Sequence, residues 1–347
     1  MSARSYEFDR PRGLEARAPP ESRGLARDEV RFLVTGDGGS THHRFRELPD
    51  LLAPGDLLVV NASATLPASL PVRGDAGEFL LNVSTQYGDA VWLAEPRFGV
   101  GSPGPVPLDP AAPLSSGAVQ FHPIGPFPGI ERLWFFRADG SVPAAMTERG
   151  RPIRYGYVDE AYPLAAYQTV FSRVPGSAEM PSAGRPFSAR VLDALRDRGV
   201  GVAEVLLHTG VSSLESEAGG AELPPVYPEP FDVPRETAER IRATREARHR
   251  VIAVGTTVLR ALETAWDGCR VAPRSGFTRL VLGPGRPVRS VDGLVTGFHD
   301  PRTSHLALLF GLAGEERVRT AYSEAVERRY LWHEFGDSHL LWRPGAG

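Results

Sequence analysis

The sequence contains no lysine, and all 39 of its basic residues are arginine. A guanidinium group cannot replace an ε-amine. The sequence therefore excludes a Schiff-base mechanism, an internal aldimine with pyridoxal phosphate and the lysine of a Walker phosphate loop. Cys269 is the single cysteine, which excludes an internal disulfide and any zinc site that is built from several cysteines.

Long apolar runs are also missing. No window approaches the roughly 18 apolar residues that a membrane-spanning helix requires. The N-terminal residues are too acidic and too polar for the apolar region of a secretory signal. We therefore expect a cytoplasmic protein that makes no contact with a membrane.

Neither sign of charge dominates, because 42 acidic residues leave a net charge of −3. This balance argues against a broad surface that neutralises phosphates, although a local arginine patch could still grip one RNA hairpin. The composition, 41% hydrophobic and 23% charged, is typical of a globular protein. A length of 347 residues suggests about two domains.

The chain falls into three stretches of different texture. Residues 1–26 are rich in Arg, Pro and Glu without an apolar period, so we predict an irregular arm rather than a buried element. Residues 70–150 hold short strand-like runs between turn residues and no helical period, which predicts an all-β, barrel-like insertion domain. Residues 1–69 and 151–347 are predicted to form one discontinuous main domain.

Helices and strands alternate in the main domain. Ser188 is placed to cap a helix that stops at Gly199. Strands are predicted at 30–34, 56–60, 202–208, 250–254 and 279–282, and helices at 234–249, at 258–266 and twice more near the C terminus. Short connections between alternating strands and helices predict an α/β fold with a mostly parallel sheet.

Candidate site residues follow the predicted strands, since ligands of open α/β sheets bind beyond the carboxyl ends of the strands. Gly255-Thr256-Thr257 is the most specific of these segments. A glycine turn that runs into a helix presents free N–H groups, two hydroxyls and the positive end of the helix dipole to a carboxylate or phosphate. The alternative is that one of the threonines only caps the helix.

Histidine offers two candidate general bases. Nine histidines occur without an HExxH motif or a close cluster with acids or the cysteine, so a metal site has no support. His208 ends a strand and His299 precedes a helix, and either could exchange a proton near neutral pH. A structural role in the core is the alternative for each.

Several long blocks resemble one known family, that of the S-adenosylmethionine:tRNA ribosyltransferase-isomerases of queuosine biosynthesis. They are VIAVGTTVLRALE (251–263), PGRPVRSVDGLVTGFHDPRTSHLALLFGLAG (284–314), AYSEAVERRYLWHEFGDSHLL (321–341), RFRELPDLLAPGDLLVVN (44–61), YQTVF (167–171), PSAGRPFS (181–188) and LLHTG (206–210). The blocks occur in the family's order along nearly the whole chain. The sequence is therefore identified as a divergent member.

The resemblance implies an α/β main domain interrupted by a β-barrel-like insertion. It also implies a reaction, in which the ribosyl part of S-adenosylmethionine moves to the aminomethyl group of a 7-deazaguanine in the tRNA anticodon. Isomerisation then gives epoxyqueuosine, and adenine and methionine leave. S-Adenosylmethionine is a co-substrate, and no bound cofactor or metal is implied. We expect a monomer or weak homo-oligomer whose acceptor is a tRNA anticodon stem-loop or a small molecule.

The resemblance and the strand ends together predict the site. The predicted catalytic residues are His208, Glu229, His299 and Asp337. The predicted substrate-binding residues are Asn61, Ser182, Gly184, Gly210, Gly255, Thr256, Thr257, Arg260, Glu263 and Asp292.

The sequence also departs from the family pattern within its motifs. Pro186 and Tyr227 stand where histidine is usual, and Ala64 and Ser69 stand where arginine is usual. Further departures are Arg185 for leucine, Gly297 for asparagine, and the absence of a second glycine and a phenylalanine from LHTGVSSL (207–214). Besides the family reaction, two hypotheses remain: an S-adenosylmethionine-consuming transfer to a small molecule, and a non-catalytic protein that binds an adenosyl compound or RNA.

Overall fold

A computed structural model describes residues 8–75, 77–102, 104, 106–211 and 227–347. Within these residues the chain forms a nine-stranded mixed sheet, a closed six-stranded antiparallel barrel and a small two-stranded sheet. The predicted fold class, an α/β domain interrupted by an all-β insertion, is confirmed. No helix in this part of the chain is long and apolar enough to cross a membrane.

The strands begin with β1 (Arg31–Gly36), β2 (Gly39–Arg44), β3 (Leu57–Asn61), β4 (Ser63–Thr65), β5 (Ser69–Gly74), β6 (Gly77–Tyr87), β7 (Val91–Arg97), β8 (Leu114–Ser116), β9 (Val119–Phe127) and β10 (Ile130–Asp139). They continue with β11 (Val174–Ser177), β12 (Gly201–Leu207), β13 (Glu229–Val233), β14 (Val251–Val254), β15 (Arg274–Thr278), β16 (Gly293–Gly297) and β17 (Ser338–Trp342). The α-helices are α1 (Leu48–Leu51), α2 (Val142–Arg149), α3 (Ala189–Asp197), α4 (Arg235–Glu246), α5 (Thr256–Thr264), α6 (Ser304–Ala313) and α7 (Glu315–Glu327).

The large sheet has the strand order β15-β13-β12-β3-β14-β16-β17-β1-β2. Its centre is parallel, since β12, β3, β14 and β16 pair in the same direction. Strands β13 and β15 add antiparallel at one end, and β17 lies antiparallel to β16. The carboxyl ends of the four central strands therefore meet at one edge, where a ligand site is expected.

Both faces of this sheet are covered by helices, which explains the uninterrupted apolar runs of the central strands. On one face, Leu262 of α5 and Leu309 of α6 belong to one buried cluster with the sheet. On the other face, Leu48 of α1 and Leu195 of α3 belong to a second cluster. The predicted Ser188 cap is present, because its side chain accepts a hydrogen bond from the Val191 N–H.

The barrel runs in the order β10-β7-β6-β5-β8-β9 and closes around its own apolar cluster, which includes Phe121 and Phe136. Its strands lie between Ser69 and Asp139, so they fall close to the predicted bounds 70–150, and that domain division stays a prediction. The helix α2 follows the barrel within these bounds, although the sequence of residues 70–150 shows no helical period. Its eight residues are too few to show one, and a Ser141 cap begins it.

Two sequence predictions about local structure are wrong. The arm is not free of buried residues, because Leu14 and Ala16 are buried and their backbones bond to that of Trp332. The segment 279–282 is not a strand, and β15 precedes it instead. There the Leu280 N–H donates to the Thr278 hydroxyl and its carbonyl accepts from Arg260, so side chains replace the ladder bonds of a strand.

Candidate active site

A cavity of about 450 Å³ opens at the carboxyl edge of the parallel strands, where the main domain meets the barrel. The sheet contributes the segments that follow β12, β14 and β16, and the barrel contributes the end of β7 and the loop after it. Its polar lining consists of Thr65, Arg97, Tyr155, Tyr157, Tyr167, Glu179, Ser182, Thr209, Thr256, Thr257, Thr296, His299, Asp300, Thr303, His305, His333 and Glu334.

Gly255, Thr256 and Thr257 line this cavity, at the junction of β14 and α5. Gly255 has φ 99° and ψ 150°, a conformation that is nearly confined to glycine. Its N–H donates to the Val295 carbonyl at 2.8 Å, which ties the turn to β16. No side chain caps α5, so neither threonine acts as the cap. The first N–H groups of a helix lack partners within the helix, which suits an anion.

His299 lines the cavity just beyond β16. One ring nitrogen, Nε2, lies 2.8 Å from the Thr296 hydroxyl, and the ring stacks on His305 at 4.9 Å between centroids. Burial lowers the pKa of His299 well below its ordinary value, and the neighbouring histidines lower this pKa further. The imidazole is therefore neutral near pH 7 and can accept a proton.

Two buried hydroxyl oxygens in the wall, those of Tyr167 and Thr209, have no hydrogen-bond partner among the described residues. Burial raises the pKa of Tyr167, so its phenol keeps its proton. A buried polar group without a partner costs about 1–3 kcal/mol, so such groups indicate where a polar ligand binds. The cavity thus offers two hydroxyls to a hydroxylated ligand.

Two tyrosine–glutamate pairs also line the cavity, and no sequence pattern indicates them. The Tyr155 hydroxyl donates to Glu179, and the Tyr157 hydroxyl donates to Glu334 Oε2 at 2.5 Å. The His333 ring stacks on Tyr157 with 4.3 Å between centroids. Both His333 and Glu334 belong to the segment WHEFGD (332–337) of a family block, and they line the cavity while Asp337 of the same segment does not.

His208 lies behind the cavity wall rather than in it. Its Nδ1 is 2.8 Å from the Ser63 hydroxyl, and this hydroxyl is 2.5 Å from that of Ser177. A Cβ on Gly176 would overlap the imidazole ring, so glycine is required there. Burial lowers the pKa of His208. Its neighbour Thr209 is the residue of this segment that lines the cavity.

Glu229, Arg260 and Gly210 form a second group behind the wall. Glu229 is buried, pairs with the Arg260 guanidinium and accepts the Gly210 N–H at 2.9 Å. A Cβ on Gly210 would overlap the hydroxyl of Tyr227. This Tyr227 hydroxyl, at a position where the family has histidine, donates to the Val211 carbonyl at 2.7 Å. The group fixes the end of β12.

Three further predicted carboxylates accept hydrogen bonds from backbone N–H groups and lie outside the cavity lining. Glu263 accepts the N–H groups of residues 289 and 290, each at 2.7 Å. Asp292 accepts the N–H of residue 251 at 2.9 Å. Asp337 accepts those of residues 31 and 331, both at 2.8 Å. These contacts hold strands and loops in position.

Of the remaining predicted residues, one lines the cavity and the others contribute to packing or hold the strands. Ser182 lines the cavity. Asn61 does not, because its side chain bridges β3 to β12 through the Leu207 carbonyl at 2.8 Å. A Cβ on Gly184 would lie 3.3 Å from the Thr169 methyl, so that glycine serves close packing. The cavity therefore brings together Ser182, Gly255, Thr256, Thr257 and His299, and the roles of all predicted residues stay predictions.

Arg185, at a leucine position of the family, carries a buried guanidinium. It pairs with Glu21 at 2.8 Å and donates to the Ala166 carbonyl at 2.9 Å, so it ties the N-terminal arm to the main domain. Pro186 follows it beside a small cleft next to the cavity. Ala64 and Ser69 lie in β4 and β5, at the connection to the barrel. The missing glycine and phenylalanine of LHTGVSSL fall outside the described residues.

Comparison with known proteins identifies the family. The sequence profile described as "Queuosine biosynthesis protein" matches residues 3–341. The chain belongs to this family. It is 38% identical to the S-adenosylmethionine:tRNA ribosyltransferase-isomerase of Rubrobacter xylanophilus, covering 98% of each chain. Its identity to the protein of the same name from Anaeromyxobacter dehalogenans (strain 2CP-C) is 35%, covering 99% of this chain and all of that one.

A solved structure of a family member has the same fold. The S-adenosylmethionine tRNA ribosyltransferase of Thermotoga maritima superposes with a TM-score of 0.55 at 28% identity, covering 97% of this chain and 99% of that one. The resemblance inferred from the sequence blocks is thereby confirmed over the whole chain. The departures from the family pattern at Pro186, Tyr227, Ala64 and Ser69 stay predictions.

Proposed function

We propose that the protein is an S-adenosylmethionine:tRNA ribosyltransferase-isomerase. The observation that carries the proposal is the family match over residues 3–341, together with relatives of this name that align along nearly their full length. The enzyme transfers the ribosyl part of S-adenosylmethionine to a 7-aminomethyl-7-deazaguanine in tRNA and releases adenine and methionine. The cytoplasmic location and the monomeric or weakly oligomeric state stay predictions.

The start of α5 is proposed to bind the methionine carboxylate. The free N–H groups of its first turn and the hydroxyls of Thr256 and Thr257 lie in the cavity wall. A helix N-terminus carries about half a positive elementary charge, so it favours a carboxylate. The chain has no lysine that could take this role. Ser182 lies in the same wall and offers one further hydroxyl.

His299 is proposed as the general base. The carbon next to the sulfonium bears an acidified proton, and its removal leaves the electron pair on carbon beside the positive sulfur. The unprotonated ring nitrogen of His299 takes this proton, because the low pKa of this residue keeps the ring neutral. The hydrogen bond to Thr296 orients the ring.

The hydroxyls of Tyr167 and Thr209 are proposed to bind the ribose. Both oxygens are buried in the cavity wall without a partner among the described residues, and ribose hydroxyls both donate and accept. Binding would satisfy these groups and would fix the sugar while its bond to adenine breaks.

A transfer to a small-molecule acceptor is the second candidate. One observation favours it, namely that Ala64 and Ser69 occupy positions where the family has arginines, near the connection between barrel and main domain. Loss of two cations weakens the binding of phosphate groups, so a polyanionic acceptor would lose more affinity than a small one.

The experiment uses S-adenosylmethionine that is labelled separately in its adenine and methionine parts. The enzyme is incubated with tRNA that bears the 7-aminomethyl base and, as a control, with the same tRNA carrying guanine. We expect adenine and methionine release and a heavier tRNA only with the modified base. Release with a small amine and an unchanged tRNA mass would favour the second candidate, and no release with either acceptor would refute both.

A further inference from the structure

Glu334 places a carboxylate in the cavity wall that pairs with no cation among the described residues. Its one hydrogen-bond partner in the described part of the chain is the Tyr157 hydroxyl, at 2.5 Å. Asp300, another acid of the cavity lining, differs because it pairs with Arg10 at 2.9 Å. A partly buried carboxylate without a cationic partner is costly unless a ligand supplies the positive charge.

The phenol of Tyr157 fixes this carboxylate without neutralising it. Burial raises the pKa of Tyr157 well above its ordinary value, and the Glu334 charge raises it further, so the phenol remains a hydrogen-bond donor. The nearby Tyr167 has a buried hydroxyl without a partner, and the Glu334 charge also contributes to the raised pKa of this phenol. The Glu334 carboxylate thus lies near a phenol whose hydroxyl has no hydrogen-bond partner among the described residues.

The loop that carries Glu334 is held under backbone strain. His333 has φ 71°, a left-handed conformation that costs a non-glycine residue energy. A Cβ on Gly336 would overlap the Leu331 carbonyl, so the turn requires glycine. Asp337 holds the loop by accepting the Leu331 N–H at 2.8 Å. Strain of this kind is retained where it positions a side chain for binding or catalysis.

We propose that Glu334, oriented by the Tyr157 hydroxyl and by the strained loop, binds the cationic centre of the substrate. This inference rests on the proposed function, which supplies two such centres: the sulfonium of S-adenosylmethionine and the primary ammonium of the acceptor base. Both are small monovalent cations that a single carboxylate can contact.

The test compares ligands that differ in charge. Isothermal titration calorimetry measures the affinity of S-adenosylmethionine and of S-adenosylhomocysteine, which lacks the sulfonium charge. We expect Glu334→Gln to weaken the binding of S-adenosylmethionine at least tenfold, about 1.4 kcal/mol, and to leave that of S-adenosylhomocysteine unchanged. Tyr157→Phe should give a smaller loss in the same direction. Glu327→Gln, on an exposed turn of α7, is the matched control.

A second measurement, steady-state kinetics with the modified tRNA, identifies which of the two cations Glu334 binds. A second variant keeps the test decisive if the first one does not fold. If the affinity ratio of the two ligands is unchanged but kcat/KM for the modified tRNA falls tenfold at saturating S-adenosylmethionine, the ammonium is the cation. If neither quantity changes, the proposal is wrong. Should Glu334→Gln fail to fold, Tyr157→Phe decides by the same two measurements. A wild-type protein that prefers the sulfonium ligand but releases no adenine would refute the proposed function and leave this inference standing.

Discussion

The sequence predicts that Asp337 is a catalytic residue, whereas its contacts in the structure indicate an anchor for the backbone. The variant Asp337→Asn distinguishes these two roles. The Asp337 carboxylate is 5% exposed and accepts the N–H groups of Arg31 and Leu331, each at 2.8 Å. It also pairs with the Arg31 guanidinium at 2.9 Å. Asparagine keeps one acceptor oxygen and turns an NH₂ group towards a donor. If Asp337 is a structural anchor, the variant protein should lose stability. If Asp337 is a catalytic acid, the variant should lose only catalytic rate.

The size of the loss follows from these contacts. One charge-assisted hydrogen bond is worth roughly 1.5–3 kcal/mol, and breaking a buried ion pair costs roughly 3–5 kcal/mol. The Arg31 side chain is 31% exposed, so water partly screens the charge that remains. We expect the free energy of unfolding to fall by about 3 kcal/mol. The KM for S-adenosylmethionine should rise more than kcat falls, because the loop that carries His333 and Glu334 loses its anchor.

Urea denaturation and steady-state kinetics of the same preparation measure both quantities. Asp193→Asn is the control, since Asp193 and its partner Arg196 are 62% and 75% exposed. An exposed pair contributes at most about 1 kcal/mol, so this variant should behave like the wild type. A kcat that falls by more than about 100-fold with unchanged stability would refute the anchor role and restore Asp337 as a catalytic residue.

Three further predictions follow from the site and the core. Gly255→Ala forces a side chain into a glycine conformation and should cost about 1–3 kcal/mol of stability in urea denaturation, with weaker binding of S-adenosylmethionine by calorimetry. His299→Asn should lower kcat by about 10²–10⁴-fold, and the wild-type kcat should not fall as the pH passes the ordinary imidazole pKa of about 6.5, because burial lowers the His299 pKa well below that value. Burial lowers the pKa of His339 to about 3. Because the unfolded chain binds this proton first, the wild-type free energy of unfolding, measured by urea denaturation, should fall more steeply than that of His339→Leu as the pH drops from about 6.5 towards 3, by about 1.4 kcal/mol per pH unit.

The strands β3 and β14 were predictable because they are buried on both faces of the sheet. β14 consists of buried apolar residues, and so does β3 apart from Asn61 at its end, which produces the continuous runs that sequence analysis recognises. The strand β13 was not predicted, because it contains Pro230 and a proline argues against a strand. In the structure the Pro230 carbonyl accepts a hydrogen bond from the His208 N–H at 3.0 Å, so the proline still contributes an acceptor although it has no N–H to donate.

Only the part of the cavity lining that follows predicted strands could be predicted from the sequence. The rule that ligands bind at strand ends found Thr256 and Thr257, because they follow the predicted strand 250–254. The sequence indicates His299 only as a histidine ahead of a helix, since β16, which it follows, is not among the predicted strands. Tyr157 and Glu334 come from irregular segments 177 residues apart, and no periodicity reports such a pairing.

The predicted acids pose a different difficulty, since a carboxylate in a motif looks the same whether it binds a ligand or holds the backbone. Glu263, Asp292 and Asp337 accept backbone N–H groups, and these bonds occupy part of the acceptor capacity that a substrate could use. Glu334, in the same sequence block as Asp337, accepts from one phenol and keeps the rest of its acceptor capacity facing the cavity. The sequence does not report these backbone donors, because they depend on contacts such as that of the Arg31 N–H with Asp337, 306 positions apart.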